Sequence, residues 1–167
     1  MQIRDAAPED AAGIAAIYNE AVLNTTAIWN DSLVDAASRA AWIHQRQSAG
    51  HPVLVAVDGE QVVGYATFGD WRQWDGYRFT IEDSVYVLAD AQRTGIGQNL
   101  MLELIRRGRA QGKHVRVACI ESGNASSIAL HLKLGFEPAG VVKQVGTKFG
   151  RWLDLSILQL MLDGDRR

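Results

Sequence analysis

Ser84-Val85-Tyr86-Val87 is followed by Leu88 to Ala91 and then by Gln92-Arg93-Thr94-Gly95-Ile96-Gly97-Gln98. An apolar strand gives way to a short loop, and a glycine-rich turn then opens a helix expected over residues 94–111. In that helix Ile96, Leu100 and Leu104 fall four apart with Met101 and Ile105 beside them, and Gly112 closes it. The first amides of a helix have no internal acceptor and point outward. The helix dipole makes that end attractive to anions. Gly95 and Gly97 carry no Cβ, so a ligand can approach the backbone there, and Arg93 adds a full positive charge. Residues 92–98 therefore read as a pyrophosphate cradle; the plainer alternative is a glycine-rich helix start with no ligand. The third glycine of a dinucleotide fingerprint is missing from Gly95-Ile96-Gly97-Gln98-Asn99-Leu100, and so is the Gly-Lys-Ser/Thr of a P-loop.

Outward from this stretch the pattern alternates between strand and helix. Residues 2–5 read as a strand and residues 8–22 as a helix, with Pro8 at its first position and Glu9 and Asp10 at its positive end. Ile14, Ile17, Tyr18, Ala21 and Val22 share one face of it. Residues 35–48 form a second helix with Asp35 as N-cap. Val53 to Val57, Val62 to Phe68 and a segment from about Arg78 to Val87 are strands, expected to form an antiparallel meander. Beyond the glycine-rich helix come a strand at 115–120, a short helix at 126–134 and strands at 136–147 and 151–162. Helices thus interleave with a mixed sheet, an α/β chain, or α+β by a stricter count.

A chain of 167 residues, 47% hydrophobic and 22% charged, suits one domain spanning 1–167 with one sizeable core. A net charge of −2 gives no reason to expect a nucleic acid partner. No apolar run approaches the roughly 20 residues of a membrane helix, so no membrane partner is expected. The first ten residues are too polar and acidic for a signal peptide. Cys119 is the only cysteine, which excludes an internal disulfide and points to a reducing, cytoplasmic setting. It alternates with Val115 and Val117 and reads as core, not a nucleophile. His44, His51 and His114 show no metal-ligand spacing, and no metal is expected.

The Gln92-Arg93-x-Gly-x-Gly form after Val-Tyr-Val resembles the coenzyme A signature of the GNAT N-acetyltransferase superfamily. Asn124-Ala125-Ser126-Ser127-Ile128-Ala129-Leu130-His131-Leu132-Lys133-Leu134-Gly135-Phe136 resembles its second signature, an asparagine that starts a short helix ending in Leu-Gly-Phe. Three further stretches look like the branch that acetylates phosphinothricin, methionine sulfone and methionine sulfoximine. They are Thr25-Thr26-Ala27-Ile28-Trp29, the run from Asp70-Trp71-Arg72-Gln73-Trp74 to Glu82-Asp83-Ser84, and Lys148-Phe149-Gly150-Arg151-Trp152. The resemblance covers nearly the whole chain. It implies the GNAT fold, acetyl-CoA as donor, a small amino-acid-like acceptor and a homodimer. It also implies a coenzyme site at Val85, Tyr86, Val87, Arg93, Thr94, Gly95, Ile96, Gly97, Gln98 and Asn124, with Val85–Val87 amides facing the oxyanion.

N-acetylation needs a neutral amine, so a base must hold or remove a proton beside the thioester. Glu82 matches the glutamate with that role in the branch; otherwise it is a strand carboxylate paired with an arginine. Asp83 points to the opposite face unless a bulge intervenes. His131 sits where the family often has a proton-donating tyrosine, and reads as that donor, as a second base, or as a packed histidine. The acceptor site is expected at Arg72, Gln73, Trp74, Glu82, Asp83 and Ser84, with Arg72 or Arg78 gripping a carboxylate. Trp29, Trp71, Trp74 and Trp152 are candidate walls, and Lys148 and Arg151 candidate donors to an oxygen-bearing side-chain head. Two other readings stay open: another amine acceptor (a protein N-terminus, polyamine or aminoglycoside), and a coenzyme-A-binding sensor without turnover. Arg72 and Arg78 disfavour a polycationic acceptor, and the presence of Glu82 disfavours the sensor.

Overall fold

The computed structural model describes residues 1–163. Strand β1 (Gln2–Asp5) is followed by helices α1 (Ala11–Asn24) and α2 (Ala36–Ser48), then by β2 (Val53–Asp58), β3 (Gln61–Asp70) and β4 (Thr80–Val87). After them come α3 (Ile96–Ala110), β5 (Val115–Glu121), α4 (Ala125–Lys133), β6 (Glu137–Lys148) and β7 (Arg151–Met161). The element order matches the sequence expectation, and so does the antiparallel β2-β3-β4 meander. One boundary differs. Residues Pro8–Asp10 form a separate 3-10 turn ahead of α1. Asp10 is buried there, accepts the Ala7 N–H at 2.8 Å, and takes both guanidinium nitrogens of Arg4 at 2.6 and 2.9 Å. Those contacts tighten the turn before α-helical bonding begins. Asp35 caps α2 as expected, accepting the Ser38 N–H at 2.7 Å.

The sheet has seven strands in the order β1-β2-β3-β4-β5-β7-β6. Among the described residues only β4 and β5 run parallel. Helices α1 and α2 cover one face, where Ile14, Ile17 and Ile43 meet Val53, Val55 and Tyr65. On the other face Ile96, Leu100, Met101, Leu104 and Ile105 of α3 meet Leu54, Ala66, Phe68 and Ile81. Burial on both sides explains why β2 and β3 read as unbroken apolar runs. The last strands are less covered: every residue of β6 is exposed or half-buried except Lys148.

The feature that positions the site lies in the middle of the sheet. β4 and β5 pair only from Thr80↔Val115 to Glu82↔Val117. Past that point β4 continues with β3 to Val87↔Gly64, while β5 continues with β7 to Glu121↔Leu155. The two parallel strands part like the arms of a V, leaving one backbone edge of residues 84–87 free of a neighbouring strand.

Candidate active site

Two connected hollows open where β4 and β5 part. The smaller, of about 290 Å³, is walled by residues 82–86 of β4, residues 119–121 of β5, the helix start Asn124 and Ser127, and the α1–α2 connection at Ala27, Ile28 and Trp29. The larger is a groove of about 1040 Å³ that shares Val85, Tyr86, Glu121 and Asn124 and runs over Arg93, Gly95, Gly97 and Gln98.

At the groove the glycine-rich turn takes up the conformation its residues allow. Arg93 and Gly95 have φ of 62° and 87°, and Gly95 is the left-handed N-cap of α3. The first helical bond runs from Asn99 N–H to Gly95 O at 3.0 Å, so the amides of Ile96, Gly97 and Gln98 leave the helix end without an internal acceptor. Val87 and Asn124 join the groove wall as expected. Thr94 and Ile96 lie in the turn without lining the groove: Thr94 Oγ1 donates to Ala91 O at 2.6 Å, and the Ile96 side chain is buried in the core. Sequence reasoning did not single out Lys133 or assign Arg151 to this rim, yet with Arg93 they set three cations in a wall that also holds Glu20 and Glu121. Lys133 Nζ donates to Gln98 Oε1 at 2.8 Å, tying α4 to the start of α3.

The smaller hollow brings together Glu82, Asp83, Ser84 and His131. Strand alternation puts Glu82 and Asp83 on opposite faces as expected, with different fates. Glu82 shares its face with Cys119 and is half-buried. Burial pushes its pKa above the ordinary carboxylate range; the Cys119 thiol donates to it and, with Arg72 and Arg46, pulls the other way. Asp83 enters the core, where Arg116 Nε donates to its Oδ2 at 2.7 Å. Burial alone would raise Asp83, but Arg116 and His131 outweigh it and hold the carboxyl below its usual range. The Arg116 side chain is 0% exposed, and its remaining capacity goes partly to Met101 Sδ at 3.2 Å. His131 is buried edge-on to Phe136, donates from Nδ1 to Ser127 O at 2.7 Å, and holds Nε2 at 3.5 Å from Asp83 Oδ1. That arrangement favours the packed reading of His131.

The expected acceptor segment is only partly brought in. Gln73 and Trp74 are exposed and away from the hollow, Trp74 at 77%. Arg72 is exposed and stacked 4.1 Å over Trp71, yet its charge reaches both Glu82 and Cys119. Arg78 stacks on Phe79 and donates to Asp75 O. Among the tryptophans Trp29 walls the hollow, and Trp152 is 70% exposed. Arg46 of α2 was missed: it lies over the Cα of Gly69, the residue paired with Glu82, so a second guanidinium stands on the Glu82 face. Lys148 does not face the hollow; its ammonium is spent on backbone carbonyls. Cys119 is half-buried on the pocket wall and not in the core, and burial pushes its thiol up to about 12. A thiolate is therefore scarce at neutral pH.

The sequence profile of the Acetyltransferase (GNAT) family matches residues 14–136. The chain belongs to the GNAT acetyltransferase family. Among its relatives is the L-methionine sulfoximine/L-methionine sulfone acetyltransferase of Pseudomonas aeruginosa, 58% identical over 98% of this chain and 96% of the relative. Two solved structures share the fold at a TM-score of 0.95. One is a Salmonella typhimurium acetyltransferase with its cofactor acetyl-CoA, 55% identical over 98% of this chain and 94% of that one. The other is a ribosomal-protein-alanine N-acetyltransferase from Brucella melitensis, 51% identical over 97% of this chain and all of that one. Acetyl-CoA fits the residues of this GNAT enzyme: unpaired amides and cations for its phosphates, and the free β4 edge for its amide-bearing arm.

Proposed function

We propose that this GNAT enzyme moves an acetyl group from acetyl-CoA to the α-amine of a small L-amino acid analogue with an oxygen-bearing side-chain head. Methionine sulfone, methionine sulfoximine and phosphinothricin are its expected acceptors. The observation that carries the reading is the smaller hollow, about 290 Å³ in volume, with Glu82 in its wall and Val85, Tyr86, Glu121 and Asn124 shared with the groove. Glu82 takes the proton of the acceptor ammonium; its raised pKa brings it nearer the pH at which a base works well. Residues 85–87 of β4 line the two hollows, and N–H groups on the free edge of that segment serve the acetyl oxygen as it becomes anionic. Arg72, with Arg46 on the same face, supplies the positive field for the acceptor carboxylate. Asp83, Arg116 and His131 form a buried network behind Glu82 that keeps β4 in place.

The Brucella relative raises a protein N-terminus as acceptor. A hollow of about 290 Å³ suits one small amino acid better than a peptide. We further infer a homodimer that uses the β6–β7 edge. Val141, Val142 and Val145 are 56%, 43% and 53% exposed there, beside Trp152. An apolar edge of this kind supports burial against a second copy. The free thiol of Cys119 supports a reducing, cytoplasmic setting.

The test is an acceptor screen that follows release of the coenzyme A thiol, on the parent and on Arg72→Ala. The oxidised or phosphinic acceptors should far outrun methionine, in keeping with the acceptors for which the relatives are named. Arg72→Ala should raise the acceptor KM and leave acetyl-CoA binding intact. A best acceptor that is methionine, a polyamine or a peptide would overturn the substrate class.

A further inference from the structure

The connection 25–34 between α1 and α2 has no regular structure, yet it supplies Ala27, Ile28 and Trp29 to the acceptor hollow. It is tied down at both ends. At the far end Asn19 brackets Val34: Nδ2 donates to the Val34 carbonyl at 2.8 Å, and the Val34 N–H donates to Oδ1 at 2.9 Å. At the near end Lys148, 4% exposed at the last position of β6, donates to the carbonyls of Val22, Thr25 and Ile28 at 2.5–2.8 Å. Its three ammonium protons meet three carbonyls, so the cation is fully used. Val22 lies in the last turn of α1, where carbonyls lack internal partners and the dipole favours a cation.

Two residues earlier on the same strand is Gly146. A Cβ placed there would lie 3.0 Å from Trp29 Cδ2 and closer still to Cε3 and Cζ3. Gly146 is not among the residues of positive φ, so its backbone does not require glycine. The missing side chain is the space the indole occupies. Trp29 Nε1 donates to Thr26 O at 2.9 Å, which fixes the ring against that space.

We infer that Lys148 and Gly146 are positioning residues for the acceptor: Lys148 latches the 25–34 connection to β6, and Gly146 sets how deep the Trp29 indole sits in the hollow. The inference rests on the reading of that hollow as the acceptor pocket. Neither residue touches the reacting atoms. A merely structural role would lower the melting temperature and leave the acceptor KM alone.

The experiment compares the parent with Gly146→Ala, Gly140→Ala, Lys148→Met and Lys148→Arg, measuring KM for methionine sulfone and for acetyl-CoA, kcat and the melting temperature. Gly140 is the matched control on β6, since a Cβ there meets nothing within 4 Å. Gly146→Ala should push the indole about 1 Å or more and raise the acceptor KM roughly tenfold or more, with the acetyl-CoA KM within about twofold. Gly140→Ala should change neither. Lys148→Met should lower the melting temperature and raise the acceptor KM, and Lys148→Arg should recover part of both. An acceptor KM within about twofold of the parent in Gly146→Ala overturns the inference, as does a parallel rise in both KM values. If Lys148→Met does not fold, the two glycine variants decide. Failure of the proposed function looks different: the parent itself would not turn over methionine sulfone, and the panel would then be run with the acceptor found by the screen.

Discussion

Arg116→Met removes the cation from a buried ion pair and leaves its partner in place. The Asp83 side chain is 3% exposed, and among the described residues the only other positive candidate near it is His131 Nε2 at 3.5 Å. The 2.7 Å bond from Arg116 Nε to Asp83 Oδ2 therefore has no substitute from solvent. Breaking a pair of this kind by removing one partner costs about 3–5 kcal/mol. For a chain of 167 residues, about 2–4 °C of melting temperature per kcal/mol makes that a fall of roughly 6–20 °C. Removing both partners should cost much less than the two single changes together, because Asp83→Val with Arg116→Met leaves no uncompensated charge. Calorimetric melting of the parent, both single variants and the double at pH 7.5 completes the cycle. The pair also has a sign in pH. Asp83 has a depressed folded pKa, so its contribution is full above the unfolded value of about 3.9 and is lost as pH falls through the lower folded value. The Arg116→Met deficit should therefore shrink in acid. A single variant that loses under about 1 kcal/mol, or a double variant that loses the full sum, would refute the view that Asp83 is held ionised by Arg116.

Glu82→Gln should lower the rate about 100-fold or more at neutral pH, with a defect that narrows as pH rises and free amine accumulates; a flat ratio across pH would assign the proton to another group. Because burial raises the folded pKa of Glu82, its ionisation opposes folding: the penalty is absent below the unfolded pKa and grows as pH rises through the folded one. Glu82→Gln should thus melt higher than the parent at pH 8 but not at pH 4, and equal melting at both would contradict the burial argument. Gly97→Leu should raise the acetyl-CoA dissociation constant about tenfold or more by filling the groove beside Leu130 and Val87, whereas Gly97→Ala, whose Cβ meets them at 3.4 and 3.7 Å, should bind like the parent in calorimetry. Cys119→Ser should keep turnover within about fivefold, since a thiol pushed up to about 12 is a poor nucleophile; near-complete loss of activity would return it to the reaction.

Much of the fold was legible because its signals are local. The four-residue spacing of Ile96, Leu100 and Leu104, the cap at Asp35 and the glycines before α3 each act within a turn or two of helix, and each appears where the sequence put it. The glycine-rich turn at the groove was legible for the same reason: unpaired amides at a helix start are a local property. The start of α1 was misread because Asp10, which looked like a dipole-stabilising acid, is a buried acceptor for Arg4, a residue of β1. Arg116 was overlooked because Val115, Val117 and Cys119 drew attention to one face of β5. On the other face Arg116 meets Asp83 from β4, and only the parallel pairing of those strands brings them together. The parting of β4 and β5 that opens the site follows from a parallel ladder only three residue pairs long, while β7 pairs the far edge of β5 along its whole length, a contact across more than thirty residues.

Lys148-Phe149-Gly150-Arg151 carries the sharpest form of this limit. As a sequence it offers two cations around an aromatic, and both cations were assigned to one acceptor head. Phe149 and Gly150 take φ of 52° and 71°, the paired left-handed geometry that closes a two-residue hairpin between β6 and β7. Lys148 and Arg151 thereby become a directly paired couple at the end of the ladder. Pairing alone would send both side chains to the same side of the sheet. Burial separates them: Lys148 meets the carbonyl ends left by α1 and is fully enclosed, while Arg151 stays exposed at the rim of the groove with Phe149. What divides the two cations is the position of a helix C-terminus more than a hundred residues earlier in the chain. A donor count in the sequence records neither that helix end nor the glycine that makes room for Trp29. The smaller hollow therefore owes its shape to residues whose chemistry, taken by itself, points elsewhere.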